Sequence, residues 1–347
     1  MTMGSQGSAP LSLDLFWITL ALYLVAFICF VTYLAVRKNV LTKIGLGAMC
    51  IGWPFQLVSI ILRGIEGNHW PLGNMYEYSM GISFILMTCA IGLSFRTRQR
   101  MIGLPSTGVA IALLGVGYVL YEPPGNLVPA LHSYWLTIHV TAMATASAIL
   151  TFSFFFAMAY LLKSWTDKRD AGETGSSRST KVAALRTGKS EQQLSFAVAG
   201  ASATGATLDL PSVGVKEVVA SEEGTQESTS RHRGILASIT DGLPSASWLD
   251  SMSYRFVMAG FPVWTFGVIC GAIWGEEAWG RYWGWDPKET FAFITWAIFA
   301  IYLHARVTFG WKEKRAAIIT FFGFASLIVT LYAVNLWIVG LHSYARA

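Results

Sequence analysis

The 347-residue sequence is 54% apolar and 14% aromatic, with 13% of its residues charged and a formal net charge of +5. That is more apolar surface than a soluble domain of this length buries, which excludes an ordinary soluble enzyme and points to a membrane protein. The positive balance does not mark a nucleic-acid surface, because no segment interleaves basic and aromatic residues as a stacking groove does.

A hydrocarbon layer about 30 Å thick needs roughly 20 apolar residues per helical crossing. Runs of that kind predict spans near Leu15 to Val36, Ile44 to Leu62, Ser79 to Phe95, Ile102 to Leu120, Tyr134 to Leu162, Phe256 to Trp274, Thr290 to Ala305 and Ala316 to Val339. The first run is too long for a signal-peptide core and follows no positive charge, so it reads as a retained span with the mature protein starting near Met1. Basic residues set the orientation. Alternate connections hold Arg37, Lys38 and Lys43, then Arg96, Arg98 and Arg100, then eleven basic residues from Lys163 to Arg255, then Arg306, Lys312, Lys314 and Arg315. The other side keeps only Arg63, Arg281, Lys288 and Arg346, and the short loops alone carry the bias. The expected fold is all-α, a polytopic bundle of about eight transmembrane helices with both termini on the outer (periplasmic or lumenal) side.

Between the fifth and sixth spans the composition changes. Residues 164–243 turn to Ser, Thr, Gly, Ala and scattered charge. A stretch so poor in large apolar side chains does not offset its own ordering entropy, and it is expected to be a largely disordered cytoplasmic insertion with short helical pieces around Lys181 to Arg186 and Leu194 to Ala201. Residues 1–163 then carry helices one to five, and 244–347 carry helices six to eight. His232 falls in the insertion and reads as a solvated histidine. Leu243 to Arg255, rich in Ser with Trp248 and Tyr254, reads as an amphipathic lead-in on the inner membrane face. Cys29, Cys50, Cys89 and Cys270 sit singly in apolar runs, which offers no disulfide framework, zinc knuckle or dithiol pair.

The chemistry is concentrated in the outward connections. From Trp274 to Thr290 the chain reads WGEEAWGRYWGWDPKET, crowding Trp279, Trp283 and Trp285 with Tyr282 and the glycines Gly275, Gly280 and Gly284. Interfacial belts scatter their tryptophans, whereas this packing suits a platform for a flat ligand. Asp286 and Pro287 supply an N-cap and first-turn pair for the seventh helix. His139 lies about one turn inside the fifth span and His342 just beyond the eighth, on the same expected side. Taken singly, each histidine reads as a structural residue. Together with the aromatic cluster they suit an iron porphyrin, an apolar disc whose metal accepts imidazole on both faces. His69 and His132 are also outward and rank below that pair. His304 lies deep in its span, and an ionisable group there is a functional candidate for which this chain offers no second histidine. Asp286, Arg281 and Lys288 are candidates for steering propionates or an incoming peptide. A transporter or electron-transfer subunit holding a quinone or another flat ligand is the alternative reading.

The tryptophan-rich stretch resembles the WWD signature of the haem-handling proteins of cytochrome c maturation. Four further motifs narrow the resemblance to the CcsA (ResC) family of System II: NHWPLGNMYEYS at Asn68 to Ser79, LVPALHSYWLTIHV at Leu127 to Val140, YLHAR at Tyr302 to Arg306 and GLHSY at Gly340 to Tyr344. It covers nearly the whole chain, and the long insertion is where the chain departs from compact members. The resemblance implies haem, b-type before attachment, delivered to an apocytochrome c bearing CxxCH and joined to it covalently. It implies His139 and His342 as external axial ligands, with His304 as ligand of a haem inside the membrane whose other ligand comes from a CcsB (ResB) partner. Thiol-reducing proteins outside the membrane would act beside it, in a bacterial plasma membrane or a thylakoid. No residue stands out as an acid or nucleophile, so catalysis would be positioning of thiol against vinyl.

Overall fold

The structure is a computed structural model that describes residues 10–125, 131–200, 240, 242–338 and 340, with side chains omitted for 170–200. Its described residues form helices and connections without a strand: α1 (Leu11–Val36), α2 (Asn39–Gly67), α3 (Met75–Thr97), a 3-10 turn (Arg100–Ile102), α4 (Gly103–Val119), α5 (Tyr134–Gly200), α6 (Ala246–Trp279), α7 (Pro287–Thr308), α8 (Glu313–Ile328), a π-helical turn (Val329–Ala333) and α9 (Val334–Trp337). Eight segments among them are long and apolar enough to cross a membrane, as the sequence leads one to expect. Large apolar side chains such as Ile28, Ile61, Phe266 and Ile301 stand more than half exposed, the inverse of a soluble surface and the pattern that lipid contact permits.

The chain divides into two compact units, Met1–Leu162 with Gly242–Ala347, and Lys163–Asp241. In the second, α5 does not stop at Ser164 as expected but continues through Gly200. The physical reason lies in helix cooperativity: a helix already nucleated in the bundle adds residues without a new nucleation cost, and this stretch is rich in Ala, Lys, Arg, Glu and Gln with no proline. Lys181 to Arg186 and residues 194–200 of the expected short pieces fall within that helix, and the remainder of the expected insertion, residues 201–239 with His232, lies outside the described residues.

In the first unit neighbouring helices run antiparallel. Tyr23 of α1 donates to Gln56 of α2 at 2.7 Å, and Ser12 reaches Glu66 at the opposite end of the same pair. Gln56 donates onward to the Met80 carbonyl of α3 at 3.3 Å, so one buried amide ties three helices. At the end holding the α6–α7 connection's opposite pole, Arg306 grips Asp250 through two bonds of 2.9 and 2.6 Å, and Asp250 also accepts the Glu313 amide at 3.0 Å. Asp250 and Ser253 are buried there, so the expected surface lead-in is instead the first turns of α6, started by a Ser245 cap on the Trp248 amide.

The α5 and α6 seam positions the site. Leu150 lies against Gly260, Met143 against Gly267 and His139 against Gly271, one antiparallel register in which each glycine admits a side chain at a distance that a Cβ would forbid. Small residues on one helix face let backbones approach closely where no water drives association.

Candidate functional site

A cavity opens where α3, α5, α6, α7 and the π turn converge. Its apolar walls come from Leu72, Met75, Leu136, Val140, Met143 and Leu331, and its aromatic walls from Trp274, Tyr282 and Trp283. His139 lines it from the second turn of α5, half-buried. The His139 Nδ1–H donates to the Gly267 carbonyl at 2.7 Å, which fixes the tautomer and leaves the lone pair on Nε2. The imidazole lies nearly parallel to the Trp274 indole, centroids 6.3 Å apart at 15°. Gly271 makes this pose possible, since a Cβ there would fall 2.6 Å from both Cε1 and Nδ1 of the ring.

The wall from α3 is built by a buried ion pair. Asn74 caps α3 by accepting the Glu77 amide at 3.0 Å, and Glu77 in turn accepts from Gly73 N at 2.8 Å. Arg63 Nε meets Glu77 at 2.8 Å with both side chains essentially buried, and its Nη2 donates to the Glu122 carbonyl at 2.7 Å. Four polar contacts thus lock the loop from Gly73 to Met75 against the cavity. Burial pushes the Glu122 carboxyl above its ordinary range, with Glu77 adding repulsion and Arg63 opposing it.

The connection from α6 to α7 folds on the expected capping device. Asp286 accepts the Lys288 amide, Pro287 occupies the first turn, and Glu289 closes a capping box. Glu289 Oε2 accepts both Gly284 N at 2.8 Å and Asp286 N at 3.1 Å, which pins the turn that carries Trp283. Trp285 adopts φ +59°, a left-handed conformation that a bulky residue takes only at a cost of order 1 kcal/mol. The turn therefore splits the tryptophans. Trp283 faces the cavity, whereas Trp285 is 65% exposed and meets Phe293 edge to face at 6.0 Å. Trp279 packs on Trp274 at 4.8 Å within a small cluster holding Leu131 and Leu136, and it does not line the cavity. Asp286 is the buried cap of α7, and its carboxylate abuts Gly340.

Of the histidines, His342 lies outside the described residues, two positions beyond Gly340. His304 sits near the far end of α7, exposed on the bundle surface, with its ring edge-on to Phe309 at 5.7 Å. His69 folds back on Gly67 with Nδ1 2.8 Å from the Trp70 carbonyl, and His132 is exposed; neither lines the cavity. Sequence reasoning missed Trp274 as a wall and Asn335 altogether. The signal for Asn335 was present, a lone amide in the apolar run LYAVNLW.

An apolar and indole-lined cavity with an imidazole of fixed tautomer fits a flat metal-bearing ring. A family model described as Cytochrome C assembly protein matches residues 72–342. The cytochrome c biogenesis protein CcsA of Gloeobacter violaceus is 33% identical over 318 residues, covering 89% of this chain and 88% of that protein. CcsA of Crocosphaera subtropica is 36% identical over 291 residues, 81% of this chain and 82% of its own. Among solved structures, a chain titled Cytochrome c Heme Lyase CcmF shares the fold with a TM-score of 0.60 at 11% identity, over 96% of this chain and 48% of that one.

Proposed function

Because the chain belongs to the CcsA family of cytochrome c biogenesis proteins, an integral membrane family that handles haem in cytochrome c maturation, we propose that the cavity is where it holds haem for transfer to apocytochrome c. His139 Nε2 serves as one axial ligand and His342 as the other, with Trp283 and Trp274 against the disc. The observation that carries this reading is the His139 to Gly267 hydrogen bond at the cavity wall, the orienting contact that a ligating imidazole needs on its other nitrogen. Gly340 against Asp286 brings the chain leading to His342 to the same connection as Trp283.

Apolar burial supplies the holding force, roughly 25 cal/mol for each Å² removed from water. The walls exclude water and orient the ring edge. The incoming CxxCH segment then presents two thiols, each of which adds across one vinyl group: a C–S bond forms, the S–H bond breaks and its hydrogen goes to the neighbouring carbon. No external oxidant is consumed, and thiol-reducing proteins keep both cysteines ready. Positioning is what this chain contributes to that step. Trp279 and Trp285 rim the connection around this platform, and Asp286 shapes it through its cap.

His304, on the opposite half of the bundle and exposed, takes haem at an earlier station where a CcsB (ResB) subunit provides the second imidazole. The short-loop charges support a cavity on the periplasmic or lumenal face, with the insertion in the cytoplasm. Pyridine haemochrome analysis of the purified protein tests the reading. Stoichiometric non-covalent haem is expected, and a quinone or other flat ligand without iron would refute it.

A further inference from the structure

Resting on the haem reading, we propose that Lys288, positioned by Asn335, is the carboxylate anchor of the cavity and fixes the rotation of the disc by holding a propionate. Among the described residues that line the cavity, Lys288 and Glu289 are the two with formal side-chain charge. Glu289 is spent on the turn, its Oε2 accepting from Gly284 and Asp286. Lys288 forms no ion pair with a described residue, and its Nζ donates to Asn335 Oδ1 at 3.1 Å. An ammonium carries three donors, so this bond aims the group without satisfying it.

The amide is itself held. Asn335 Nδ2 donates to the Leu331 carbonyl at 2.6 Å and to Met75 Sδ at 3.4 Å, which turns Oδ1 toward Lys288. The π turn at Val329–Ala333 inserts an extra residue just ahead of Asn335, and such turns recur where a helix must redirect a side chain. The other cations of this region do not line the cavity. Arg281 lies over Gly284, and Arg63 is paired with Glu77. A cation on the wall of an apolar slot, next to an oriented amide, selects a ligand that is flat, apolar and acidic at one edge. That placement would turn the opposite, vinyl-bearing edge of the disc away from Lys288.

The test is titration of the full-length protein, stripped of haem, with ferric haem and with haem dimethyl ester, followed by tryptophan fluorescence quenching and by the Soret band. Wild type is expected to prefer the free acid about tenfold or more. Lys288→Met should remove that preference by weakening free-acid binding alone, Lys288→Arg should retain part of it, and Asn335→Leu should reproduce the loss in smaller degree with ester binding unchanged. Equal binding of acid and ester to wild type overturns the anchor while leaving the haem reading standing. Retention of the preference in Lys288→Met, or equal loss of both compounds, also overturns it. If wild type binds neither compound, the haem reading fails and the anchor with it.

Discussion

Replacing Gly271 by alanine puts a methyl group 2.6 Å from Cε1 and Nδ1 of His139. Ordinary carbon contacts lie near ~3.5 Å or beyond, so the imidazole must retreat by about 1 Å. The Nδ1 to Gly267 bond, 2.7 Å in the native seam, would then stretch past the range of a useful hydrogen bond. Overpacking costs about 1–3 kcal/mol, and loss of the orienting partner weakens a metal ligand roughly 10- to 100-fold. Haem retained through purification, read by its absorbance and by axial ligation, should fall accordingly while the protein still inserts in the membrane. Gly260→Ala is the internal control, because its Cβ would meet Leu150 at 2.8 Å in the same seam, away from His139 and from the cavity walls. In a His139→Gly background the extra methyl should add no further loss, since the ring it strikes is gone. Wild-type occupancy and ligation in Gly271→Ala would refute the placement of His139 as a ligand.

Arg63→Met strands a buried Glu77 carboxylate and should cost about 3–5 kcal/mol, whereas Arg63→Met with Glu77→Gln should cost less; thermal unfolding midpoints in detergent compare them. Glu122 has a raised folded-state pKa, so its neutral form favours the fold: that stability is full below the unfolded pKa and is lost as pH rises through the folded one. Glu122→Gln should therefore stabilise the protein at neutral pH and make no difference in acid, as measured by melting across pH. His304 is exposed, so His304→Ala should shift the midpoint of the isolated chain by less than about 0.5 kcal/mol equivalent. A loss of haem from the complex with its partner, without that destabilisation, is the expected signature.

The spans were legible because an apolar run has one low-energy fate in lipid, and Asp286-Pro287 announced the start of α7 because caps are local. The reach of α5 was less legible: the apolar run ends at Leu162, while the helix continues to Gly200 because a helix already nucleated in the bundle extends without a new nucleation cost. The start of α6 was misplaced for a related reason, since Asp250 looks like a surface residue until Arg306, 56 residues later, is known to meet it. Within the site, the tryptophan cluster marked the right connection, but the left-handed backbone at Trp285 sends its members to different places. The wall from α3 and the aim of Asn335 depend on a buried ion pair and a π turn, and neither leaves a periodic trace. His139 could be named from the sequence; what could not be foreseen was that Gly267 and Gly271, on another helix, set its tautomer and its pose.

The most direct measurement is the visible spectrum of the intact purified complex carrying His139→Gly and His342→Gly together, recorded before and after addition of free imidazole. Loss of a low-spin bis-imidazole spectrum, restored by the added imidazole, is the expected result. A spectrum identical to wild type would contradict haem clasped between these two residues.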